Sequence, residues 1–184
     1  MAASECPKPY YCYDYDPYPS ATDCDTNAIY LGGGSELILI KCGVNIADPS
    51  DVSEIQAEID AGNLLRITGI AGGFDEPSEV SVDDPTACGS TVTISYDRTL
   101  TWQDGKVSQA VVEWYNDLKL TSFSGALLKE CGQNRWNWVD VTVKLTSSRT
   151  MPQKNSDIQL INGTLTWRSL YDPVPYDYPA VTWP

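Results

Sequence analysis

The sequence contains no histidine. That absence removes Ser-His-Asp and Cys-His mechanisms, the commonest general base and most catalytic zinc sites. No Cys-x-x-Cys pair occurs among Cys6, Cys12, Cys24, Cys42, Cys88 and Cys131, so zinc-finger spacing is missing as well. Basic residues are scarce where acids abound. Residues 1–97 hold three Lys or Arg against seventeen Asp or Glu, whereas residues 98–184 hold nine against eight, within a net charge of −13. A field of that sign repels phosphates, which argues against specific nucleic-acid binding while leaving DNA free to pass an acidic surface. Long apolar runs are also lacking. The most apolar stretch, Glu36 to Lys41, is closed by charge at both ends and falls far short of the ~18 residues that span a bilayer, so no membrane partner is expected. The first residues have neither the basic nor the apolar region of a secretory signal, which predicts synthesis in a cytoplasm.

What is present is enough for one core. A chain of 184 residues, 42% hydrophobic, fits a single domain with extensions. The extensions are visible as two Tyr/Pro-rich ends, Pro7 to Pro19 and Leu170 to Pro184, whose prolines let no helical or strand period survive, so both are expected to be extended or irregular. The division expected is an extended N-terminal arm over 1–27, a β-rich domain over 28–170 and an extended C-terminal arm over 171–184. Tyr10, Tyr11, Tyr13, Tyr15 and Tyr18 on the first arm, and Tyr171, Tyr176 and Tyr178 on the second, are the candidate interface residues. Tyrosine buries a large area while keeping a polar edge satisfied, and a proline-stiffened segment loses little entropy on docking. Both arms are therefore expected to lie on neighbouring subunits.

Between the arms the predicted fold is mainly β, a β-sandwich or partly closed barrel, with one or two short α-helices packed on the sheet. Glycines 32–34 suggest a hairpin joining 28–31 to 36–42. Asp51 and Glu54 form a capping pair ahead of a helix over 51–61 that Gly62 stops, and 107–118 carries a 3.6-residue apolar period anchored by Trp114. Strands are expected at 64–70, at 121–128, and at 139–146 through the alternation of Val139, Val141, Val143 and Leu145. Another runs over 91–96 into Leu100 and Trp102, with Val92, Ile94 and Tyr96 on a buried face. Residues 71–89 read as an acidic loop with a short strand at 79–82. Asn162-Gly163 reads as a hairpin turn in preference to a bulge in one long strand. The tetrad Thr-Leu-Thr-Trp occurs at 99–102 and at 164–167, which strand vocabulary alone explains.

Candidate chemistry is thin, and the chain is predicted to be non-enzymatic, without cofactor or metal. Asp75, Glu76, Glu79, Asp83 and Asp84 supply paired carboxylates, but on a Pro/Gly segment with no motif around them they read as a solvated loop. Asp14/Asp16 and Asp23/Asp25 lack the Gly and terminal Glu of a calcium loop. The six cysteines are too sparse for a disulfide scaffold and are expected to be free thiols, although Cys6, Cys12 and Cys24 can staple the first arm in an oxidising setting.

A compact β domain with a helix on its sheet, extended arms at both ends and no catalytic residues resembles the structural proteins of bacteriophage virions. Two kinds come into view, the tail-tube proteins and the head-decoration, neck or collar proteins. The tail-tube resemblance implies stacked rings whose sheets line a lumen, with the acidic half facing inward. It implies copies of itself and other virion proteins as partners, synthesis in the host cytoplasm and residence in the virion. A decoration or collar protein would use the arms to clamp adjacent subunits. Against the tube stands the lack of an obvious long hairpin outside the core. A different class, a carbohydrate- or ligand-binding β-sandwich, would offer Trp136 and Trp138 as a stacking platform.

Overall fold

The computed structural model describes residues 34–83, 91–119, 121–130, 135–150 and 159–184. Of the sequence expectations, the N-terminal arm with its five tyrosines, the 28–31 strand and both Asp-x-Asp pairs lie outside these residues.

The chain runs β1 (Gly34–Ile40), α1 (Val52–Asp60), β2 (Leu64–Phe74), β3 (Ser78–Asp83), β4 (Thr91–Asp104), α2 (Gln109–Leu118), β5 (Ser122–Phe123), β6 (Gly125–Glu130), β7 (Arg135–Val139), β8 (Val143–Thr150), β9 (Leu160–Ser169) and β10 (Val174–Asp177). All pairings are antiparallel, in the order β10-β7-β6-β1-β2-β4-β9-β8-β5, with β3 added to β4. The sheet is open, and the protein is mainly β with two short helices, as the alternation predicted. Val139 of β7 and Leu145 of β8 stand far apart in the strand order yet share one apolar cluster, so the sheet bends across itself in the manner of a sandwich.

Strand β1 is the centre because it is apolar on both faces. Leu37 and Leu39 join α2 and the inner faces of β2, β4, β6, β8 and β9, whereas Ile38 and Ile40 join Ile46, Ile55 and Ile59 on the opposite side. Two cores therefore share one strand. The larger also contains a buried polar chain. Trp102 donates its indole N–H to the Tyr115 hydroxyl (3.2 Å), which donates to Asp104 (3.1 Å), fixing α2 against β4. Burial, reinforced by the Asp104 charge, pushes the Tyr115 phenol far above its ordinary value.

Helix α1 is bounded as its sequence dictates. Asp51 accepts the Ser53 and Glu54 amides, and past the C-cap Ala61 a left-handed Gly62 (φ 69°) lets the Gly62 and Asn63 amides reach Ile59 and Glu58 carbonyls. Glu54 departs from a reciprocal capping box, accepting instead the amides of Ala47 and Asp48. Asp51→Ala should cost about 1 kcal/mol in chemical denaturation, the usual loss for a cap.

Several expected segments divide differently. The strand over 121–128 breaks at Ser124, whose hydroxyl donates to the Lys41 carbonyl and accepts the Gly43 amide, sending β5 to β8 and β6 to β1. Likewise 139–146 breaks at 140–142 as the chain passes from β7 to β8. Of the acidic loop expected over 71–89, residues 71–74 prolong β2, Ser78–Asp83 form β3 where a short strand is expected over 79–82, and 84–89 lie outside the described residues. Asn162-Gly163 is neither turn nor bulge but the interior of β9, in unbroken register with β4 and β8. Its glycine serves a close approach, since a Cβ there would lie 2.1 Å from the Trp102 indole. The thiols are not all free either: Cys42 is disulfide-bonded.

Candidate functional site

Three surface features carry the functional information. The first is a ribbon. Strand β4 is 14 residues long, but β2 meets it only from Leu100 onward and β9 only from Tyr96. Its first residues pair with β3 alone, through Val82↔Val92 and Ser81↔Thr93, so a two-stranded hairpin leaves the sheet with both outer edges bare among the described residues. The period-two pattern continues in phase beyond the core. Val82, Val92 and Ile94 consequently form an apolar face on the ribbon, 46%, 48% and 46% exposed. This corrects the expectation that Val92 and Ile94 are buried: the alternation is real, but none of the described residues covers it. Asp75, Glu76, Glu79 and Asp83 are exposed at the base and along the rim of the same ribbon, and Asp84 lies outside the described residues.

The second is a flat hydroxyl face. The two Thr-Leu-Thr-Trp tetrads lie on adjacent antiparallel strands, Thr99↔Thr166, Leu100↔Leu165 and Thr101↔Thr164, with the leucines in the core. Outward, cross-strand rows run Thr101, Thr164, Thr146 and Gln103, Asn162, Ser148, with Lys144 beyond Thr166 at the far edge. At its other end Arg168 forks onto Asp97 (2.7 and 3.1 Å) and holds that carboxyl below its usual range. Among the described residues the middle of this face carries no cation, and the Asp75 carboxylate borders it, accepting from the Thr101 hydroxyl at 3.4 Å.

The third is the C-terminal strap. Residues expected to reach a neighbour cover their own domain. Strand β10 pairs with β7, Tyr176 packs edge-to-face on Trp138 (5.7 Å), and Tyr178 stacks on Trp136 at 4.4 Å with planes 8° apart. Lys129 sits 3.8 Å over the Tyr178 ring, and burial, with the Glu36 charge, pushes its phenol up. Trp183 lies against Arg66, which forks onto the buried Glu36, and Thr182 exchanges two hydrogen bonds with Gln56 of α1. Tyr178, Val181 and Trp183 thus complete the smaller core. Of the three C-terminal interface candidates, Tyr176 and Tyr178 are committed to the chain's own sheet, and Tyr171 alone is open, 78% exposed. The boundary at 170/171 is therefore not where the folded domain stops. The same packing closes the Trp136 and Trp138 platform, with Trp136 fully buried.

The missed features had local signals: the ribbon in the unbroken alternation from 92 to 102, and the strap in Val181 and Trp183, whose apolar character a free arm does not need. Among the described residues no helix is long and apolar enough to cross a membrane, and no three His, Cys, Asp or Glu gather to hold a metal. No protein-family model, curated protein or solved structure matches the chain.

Proposed function

We propose that this protein is a non-enzymatic structural subunit of a bacteriophage virion that assembles with copies of itself, as a tail-tube-like ring former. The observation that carries the reading is the β3–β4 ribbon. A hairpin outside the core, with edges bare among the described residues and an apolar face, is suited to continue its hydrogen bonding and burial on another copy. A decoration, neck or collar protein is the neighbouring possibility, separated by whether purified copies close into rings or add only to a particle.

Within a ring, the hydroxyl face suits the lumen better than the acidic half does. Threonine, glutamine and asparagine stay hydrated and offer phosphate no fixed cation in the middle of the face, so DNA slides past without being gripped. The Cys42 disulfide fits a particle that persists outside a reducing cytoplasm.

The test is to place charge on the ribbon. A Val92→Asp/Ile94→Asp double variant should keep the wild-type melting temperature within about 2 °C, because both side chains are solvent-exposed. It should sediment as a monomer where the wild type sediments as an oligomer. An oligomer indistinguishable from wild type would remove the ribbon from the interface.

A further inference from the structure

Three arginines form ion pairs among the described residues, and one of them is incomplete. Arg66 and Arg168 each engage a carboxylate through both Nε and Nη2. Arg98 binds Asp172 through Nη1 alone, and its Nε is buried without a hydrogen-bond partner. Yet Arg98 is the most enclosed of the three, its side chain 8% exposed, while the Asp172 side chain is 84% exposed. A desolvated guanidinium needs a carboxylate and gains from a bidentate one, whereas a carboxylate already in water loses little by leaving. The demand lies with Arg98, and Asp172 is a replaceable occupant.

The surroundings define what replaces it. Arg98 stands midway along β4 in a recess of about 310 Å³ walled by Phe74 and Trp167, in edge-to-face contact at 6.0 Å, and by Asn137, Asp172 and Pro173. The resident segment is Tyr171-Asp172-Pro173-Val174-Pro175. Residues Tyr15-Asp16-Pro17-Tyr18-Pro19 match it at every position but one, where a tyrosine replaces Val174.

We propose that the Arg98 recess is the acceptor for the Tyr15–Pro19 segment of a second copy of this chain, which displaces Asp172-Pro173 when subunits assemble. Asp16 supplies the carboxylate to Nη1 and to the unfilled Nε, Pro17 takes the place of Pro173 beside the aromatic walls, and Tyr18 adds a ring that Val174 lacks. Fourteen residues lie between Pro19 and Gly34, a reach of up to about 50 Å when extended, which is enough to cross a subunit boundary. In the isolated chain the tethered Asp172 keeps the site closed, so the arm is taken up where copies are held side by side.

The inference rests on the self-assembly reading, and its test separates the two. In the full-length protein, Asp172→Asn should strengthen self-association in sedimentation about tenfold, and adding Asp16→Asn should return it to wild type or below. Asp16→Asn alone should weaken association, an outcome independent of how Asp172→Asn folds. A fluorescent peptide of residues 13–20 should bind the Asp172→Asn protein about tenfold more tightly than wild type, and its Asp16→Asn version should not bind. Peptide binding holds whether or not rings form. No peptide binding to the Asp172→Asn protein would overturn the site, and peptide binding with association insensitive to Asp16 would place the arm on its own chain and overturn the second copy.

Discussion

Gly163→Ala is expected to lower stability by about 2–5 kcal/mol and the melting temperature by on the order of 10 °C. The chain runs extended through this position, so the cost is not conformational. The added methyl would stand 2.1 Å from two atoms of the Trp102 indole. Trp102 is buried among α2, β4 and β9 and cannot retreat without pulling its N–H from Tyr115 and disturbing the Tyr115 to Asp104 bond. Overpacking and a broken buried polar chain therefore act together. Gly73 is the matched control, because it lies in β2 with nothing within 4 Å of a built Cβ. Gly73→Ala should change stability by less than about 1 kcal/mol. Equal effects at the two positions, measured by tryptophan fluorescence in urea, would contradict the stacking of Trp102 over β9.

The second large effect is at the strap. Trp136→Ala should cost about 3–5 kcal/mol, the usual loss for a buried tryptophan. Deleting residues 174–184 should cost at least as much. The deletion uncovers Trp136, the outer face of β1 and the hydrogen-bonding edge of β7, and it removes the Thr182 contacts to Gln56. An exposed β7 edge also invites aggregation. A segment that served only to hold a neighbour would leave the monomer's melting temperature unchanged on removal, so calorimetry of the truncated protein distinguishes the two roles.

Much of the fold was legible because hydrophobic periodicity reports burial directly. Both helices appear within two residues of their predicted bounds, and strands β1, β2 and β4 lie close to where the sequence pattern places them. What alternation cannot report is what stands opposite. Val92 and Ile94 read the same whether a core or another subunit covers them, so the ribbon looked like interior. Register is equally silent on direction: 121–128 and 139–146 each read as one strand, although Ser124 and residues 140–142 redirect the chain to other partners. At Asn162-Gly163 a strong turn signal lost to a packing demand, since only glycine admits the Trp102 ring. The strap misled for a related reason. Its prolines exclude regular ladders in a sheet interior, yet Pro175 is tolerated on β10, which lies at the sheet's edge.

The Arg98 site lay beyond any sequence pattern. An arginine in a β run carries no mark of whether both its donor sites are used, and the repeat of Tyr-Asp-Pro-x-Pro gains meaning only once one copy is seen against that side chain. The disulfide at Cys42 was similarly hidden, because spacing does not reveal which thiols the fold brings together.

The proposed assembly of this chain with copies of itself can be seen. Electron microscopy of the concentrated full-length protein in negative stain tests it most directly: rings, or tubes of stacked rings, are the predicted image, and a field of uniform monomer-sized particles at every concentration would contradict it.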